Sequence, residues 1–140
     1  MSSLQKFLDA QAQTYPQALN EISNGRKQSH WMWFIFPQVQ GLGHSPTAVR
    51  YAIEDLDEAG RYLAHPVLGK NLVKISEQLM RLNGLSAHDI FGSPDDVKLR
   101  SSMTLFANVP DADPVFGNVI TKYFNGQPDV RTLDILSPGR

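Results

Sequence analysis

Apolar residues along the chain fall mainly at three- and four-residue intervals, the spacing that lines one face of a helix. Leu4, Phe7, Leu8 and Ala12 form the first such stripe, with Ser2 or Ser3 placed to cap it. Proline in Tyr15-Pro16 suits a first helical turn, so Ala18, Leu19 and Ile22 define a second, short helix that Asn24-Gly25 stops. The aromatic run between Ser29 and Pro37 fits a buried strand as well as a buried helix. Helix is the reading adopted: Ser29 is a competent cap, Pro37 is a stop, and the chain offers no second convincing strand to complete a ladder. On a helix Trp31 and Trp33, two residues apart, cannot both face the core.

The same signals continue downstream. Ser45-Pro46 opens a short helix through Val49, Tyr51, Ala52 and Ile53. Asp55 with Glu58 resembles a capping box ahead of Leu56, Ala59, Tyr62 and Leu63, and His65-Pro66 interrupts that helix. From Val67 to Leu82 the positions Leu68, Leu72, Ile75, Leu79 and Leu82 give the cleanest stripe, closed by Asn83-Gly84. Ser86 to Phe91 reads as one turn. Ser93-Pro94-Asp95-Asp96 then combines a cap, a proline and two acids suited to the positive end of a helix, which runs to about Phe106. A proline-bounded loop from Val109 to Pro114 follows, then a helix from Val115 to Phe124 stopped by Asn125-Gly126, and a final turn over Asp129 to Leu136. The expected architecture is all-α, an irregular orthogonal array of about seven or eight helices in a single domain, because the helix lengths are too unequal for a regular bundle.

Composition narrows the function classes more than it names one. At 140 residues and 15.6 kDa, with 41% hydrophobic and 19% charged residues, the chain has the size and make-up of one globular domain. No apolar run approaches the roughly eighteen residues of a membrane span. A net charge of −1 and a pI near 6.4 disfavour nucleic acid as a partner. The absence of cysteine excludes disulfides, zinc-thiolate sites and thiol catalysis, and an amphipathic start in place of a signal peptide makes the cytoplasm the expected location. The four histidines, His30, His44, His65 and His88, include no pair at helical metal spacing, so neither a metal nor a cofactor is expected.

Three segments carry candidate chemistry. Gly41-Leu42-Gly43 before Ser45-Pro46 is a weak phosphate-loop pattern, with a plain turn as the simpler reading. Arg26, Lys27 and His30 beside Trp31 and Trp33 suit a ring stacked next to a neutralised phosphate, although core aromatics with solvated cations would give the same string. In KLRSSMTLF, Lys98 and Ser102 share a helical face one turn after Asp95. A lysine-activated serine usually reads Ser-x-x-Lys and here the order is reversed; an Asp95–Lys98 pair with Ser102 bonded to a backbone carbonyl is the simpler account. These segments define an expected small-molecule pocket for an anionic or nucleotide-like ligand. Lys27, His30, Trp33, Gln38, Gly41, Gly43, Ser45 and Tyr51 would bind, and Lys98, Ser102 and Asp129 would orient or deprotonate if the domain is an enzyme. The competing expectation is a non-catalytic interaction domain, such as a homodimer built on exposed aromatics.

The stretches GRKQSHWMWFIFPQVQGLGHSP, YAIEDLDEAGRYLAHPVLG, KLRSSMTLF and DVRTLDIL together resemble the bacterial domain-of-unknown-function family numbered 1810, some members of which carry a calpastatin-like label. The resemblance spans nearly the whole chain and implies a small all-α single domain; it carries no activity with it. Gln28 stands where a basic residue is more usual in that pattern. By analogy of size and class alone, NADAR-type glycosidases acting on ADP-ribosyl groups are also compact all-α domains.

Overall fold

The structure is a computed structural model and describes residues 4–137. Those residues form nine helices and no strand: α1 (Gln5–Ser23), α2 (Met32–Ile35), α3 (Pro46–Arg50), α4 (Leu56–Ala64), α5 (Leu68–Arg81), α6 (Ala87–Phe91), α7 (Asp95–Ala107), α8 (Val115–Phe124) and α9 (Val130–Leu136). The Ser2 or Ser3 cap lies outside the described residues.

Where the sequence suggests two helices before Asn24, there is one, with Pro16 inside it. Packing overrides the proline. Phe7, Gln11, Ala18 and Ile22 lie buried along one continuous face, whereas Pro16 is exposed, so its missing N–H weakens the helix locally without breaking the buried stripe. Ala12, expected on the apolar face, is exposed, and its neighbour Gln11 takes the buried position. The Gln11 amide is well served there: Nε2 donates to the Phe34 carbonyl at 2.8 Å and to the Tyr62 hydroxyl at 2.9 Å, and Oε1 accepts from Asn71 at 3.1 Å. One satisfied buried amide thereby ties α1 to α2, α4 and α5.

Local side-chain capping sets four of the other helix starts, those of α3, α4, α6 and α9. Ser45 accepts from the Ala48 N–H, Asp55 from the Glu58 N–H, and Ser86 and Asp89 form a reciprocal box. Asn125 ends α8 in the left-handed conformation at φ 56°. α7 is the central helix. Ser101 through Phe106 are all buried, and the helix packs against α4, α6, α8 and α9. Phe106 lies between Tyr62 and Phe116, with ring centroids 5.3 and 5.9 Å away.

Between α2 and α4 the chain makes a shallow excursion carrying α3. A single parallel bridge, Val39 to Ile53, closes it: Gln40 N–H donates to the Ile53 carbonyl at 2.7 Å, and Ile53 N–H to the Gln38 carbonyl at 2.8 Å. No helix among the described residues is long and apolar enough to cross a membrane.

Candidate functional site

Glu21, on α1, organises the segment that leads to the tryptophans. It is buried, and its carboxylate accepts from the Gln28 and Ser29 N–H groups at 2.7 and 3.0 Å, from the Ser29 hydroxyl at 2.6 Å, from the Trp31 indole at 2.9 Å and from Gln17 at 3.1 Å. Burial pushes the carboxyl pKa up, but the hydrogen bonds from Ser29, Gln28 and Trp31 outweigh it and hold the pKa down at about 2. Ser29 therefore serves Glu21 instead of capping a helix, and α2 shrinks to the single turn Met32–Ile35. Trp31 is fully buried and Trp33 is partly exposed.

This ordering brings the tryptophan segment against the start of α7. Lys27 Nζ lies 3.0 Å from Asp95 and 5.0 Å above the Trp31 ring, and donates to the Ser29 carbonyl at 2.5 Å. Lys98 Nζ is 3.7 Å from the other Asp95 oxygen and 5.4 Å above Trp33. Asp95 is thus shared by both lysines. Trp33, Gln38, Gly43 and Tyr51 line one small cavity of about 20 Å³, room for roughly one water molecule. Lys27, His30, Gly41, Ser45 and Lys98 do not line it; His30 is exposed, Gly41 sits near the Ile135 side chain at φ 106°, and the Ser45 hydroxyl caps α3.

The α7 serines depart from the expected roles. Ser102 is fully buried and its hydroxyl has no hydrogen-bond partner among the described residues; its neighbour Ser101 bonds back to the Val97 carbonyl at 3.3 Å. The single Ser101 hydroxyl proton is shared with Asp129, at 3.0 Å, and the same Asp129 oxygen accepts from the Thr132 N–H at 3.1 Å and the Thr132 hydroxyl at 2.5 Å. Asp129 thereby caps α9 and fastens it to α7.

A much larger concavity lies elsewhere, between α4, α5 and the loop into α8, with a volume of about 820 Å³. The half-buried Leu63, Val73 and Val109 contribute its apolar surface, above the fully buried Phe116. Gly69 is what lets α4 and α5 approach: a Cβ there would overlap the Leu63 backbone carbonyl. The outer face of α5, opposite the buried stripe Leu68, Leu72, Ile75 and Leu79, presents Lys70, Lys74, Glu77 and Arg81 to the groove. None of the three cations makes an ion pair among the described residues. The 109–113 loop supplies Asp111 and Asp113 on the other side. Positive charge is concentrated on α5 and two of the three acids stand on the loop.

Sequence reasoning passes over this groove because Lys70, Lys74 and Arg81 look like the solvated side of an amphipathic helix. The available signals are Gly60 and Gly69 on facing helices and a paired acid between Pro110 and Pro114. Among the described residues no cluster of His, Cys, Asp and Glu is arranged to hold a metal ion.

An all-α domain with a sizeable mixed-charge groove is the class of protein that fold and site define. The chain belongs to the family described as a protein of unknown function, DUF1810, whose model matches residues 1–136. It is similar to the conserved hypothetical protein Rv1873 from Mycobacterium tuberculosis, known from a crystal structure, at 48% identity over 95% of each chain with a TM-score of 0.93. No curated protein matches the chain significantly.

Proposed function

We propose that the protein binds a small anionic, phosphate-containing molecule in the groove between α4 and α5. The observation that carries this reading is the coincidence of a groove of about 820 Å³ with three cations, Lys70, Lys74 and Arg81, that have no ion-pair partner among the described residues. Small-molecule sites fall in the range of about 300–1,000 Å³ and combine an apolar lining with a few polar anchors. Phosphate gains charge-assisted hydrogen bonds from such cations. The tryptophan cluster is the poorer host: Asp95 already neutralises Lys27 and Lys98, and the cavity beside Trp33 is far below ligand size. A partner-binding face has less support, since the exposed large apolar residues Val49, Val67, Leu85, Val97 and Val130 stand on separate segments.

Thermal denaturation with a panel of sugar phosphates and nucleotides tests the reading. Saturating ligand is expected to raise the midpoint by several degrees, since occupancy at one hundred times Kd adds about 2.7 kcal/mol. The rise should vanish in the Lys70→Ala/Lys74→Ala double variant and persist in Lys98→Ala. Loss in Lys98→Ala alone would move the site to the tryptophan cluster. No response to any phosphate compound would overturn the proposal.

A further inference from the structure

We infer that the groove takes a nucleoside phosphate and that Asp111 reads the hydroxyls of its sugar; the inference rests on the anionic-ligand reading above. A bare phosphate answers only one wall of the groove. It would gain from Lys70 and Lys74 but meet repulsion from Asp111 on the facing loop, and it would leave the half-buried apolar side chains of Leu63, Val73 and Val109 uncovered.

Asp111 is distinctive on two independent grounds. Its backbone is held at φ 62°, left-handed for a residue with a Cβ, inside a turn closed by the Ala112 N–H donating to the Val109 carbonyl at 3.1 Å. Its carboxylate makes no hydrogen bond or ion pair among the described residues. Asp113, two residues on, already accepts from the Val115 N–H at 2.9 Å to start α8. Of the loop's two acids, Asp111 is therefore the uncommitted, acceptor-only group among the residues that line the groove.

A carboxylate opposite an anion site has a known chemical complement, a pair of neighbouring hydroxyls that both donate to it. The three zones then match three parts of one molecule: phosphate on the lysines of α5, a flat ring against the apolar surface, and a ribose with its hydroxyls toward Asp111. A phosphorylated molecule without hydroxyls leaves Asp111 unsatisfied; a neutral sugar leaves the lysines so.

Isothermal titration separates these parts with two probes, adenosine 5′-monophosphate and its 2′,3′-dideoxy analogue. The ribonucleotide is expected to bind roughly tenfold or more tightly than the analogue, the value of a hydrogen bond to a charged group. Asp111→Gly keeps the left-handed backbone without a Cβ and removes the carboxylate. In that variant the ribonucleotide should fall to the affinity of the dideoxy analogue, which itself should bind no more weakly than before. Asp111→Asn, which tolerates the same backbone and retains one acceptor, should give an intermediate loss. Equal affinities for the two probes in the unaltered protein, or an equal loss of both in Asp111→Gly, would overturn the role of Asp111 and leave the anionic site standing. Failure of both probes to bind, with inorganic phosphate also silent, would remove the inference and the reading beneath it.

Discussion

Glu21 shows how much one buried acid can settle. Five donors from four residues converge on its carboxylate, and the segment from Gln28 to Trp31 takes its path from them. Its folded-state pKa of about 2 lies below the ordinary value of 4.5, so the unfolded chain binds the extra proton between those values. The stabilisation is complete above pH 4.5 and drains away as pH falls toward 2; over the whole window it amounts to about 3 kcal/mol. Glu21→Gln is expected to lower stability near neutrality by roughly 2–3 kcal/mol and to flatten the acid limb. Fluorescence-monitored urea unfolding at a series of pH values checks both, since the indole of Trp31 bonds directly to this carboxylate. Sequence could not expose this hub: Glu21 sits on a helix where an acid normally faces water, and its partners Gln28, Ser29 and Trp31 become neighbours only after the turn at Gly25. In the same way KLRSSMTLF shows two adjacent serines, and only packing decides that Ser101 bonds outward to Asp129 while Ser102 is sealed inside.

Helices were easier to read than their ends. The stripe of α5, the Asn125 stop after α8 and the caps at Ser45 and Asp55 follow from local chemistry that the sequence displays directly. The readings that changed depended on distant partners: Pro16 stays within α1 because α1 is gripped along its buried face, and Ser29 gives up its cap to Glu21. Two helical glycines make the contrast measurable. Gly69→Ala would drive a methyl into the Leu63 carbonyl, which is backbone and cannot rotate aside, so a loss of about 3 kcal/mol is expected. Gly117→Ala, on the exposed side of α8 with nothing within 4 Å of the added carbon, should instead raise stability by up to about 1 kcal/mol. Urea midpoints that moved in the same direction for both would contradict this account of the α4–α5 contact.

Across the whole molecule, stability is expected to be graded outward from α7. That helix is enclosed by α4, α6, α8 and α9, whereas α3 buries none of its residues and its excursion is closed by two backbone hydrogen bonds. Native-state hydrogen exchange should find the amides of residues 101–106 opening only with global unfolding and those around α3 opening at far lower free energy. Comparable protection at the two places would refute the gradient. The overall all-α arrangement was visible in the periodicity. The groove was not, because a concavity is a property of how two helices and a loop diverge and leaves no period along the chain.

The excursion from Gln40 to Arg50 offers a practical handle. It leaves and re-enters the body at neighbouring points, Gln38 and Ile53, and none of residues 40–50 is buried. Closing a somewhat longer loop across the same two points adds only a small entropic penalty. A guest peptide, an affinity epitope or a fluorophore attachment residue grafted near Thr47 would consequently report on the domain without entering its interior.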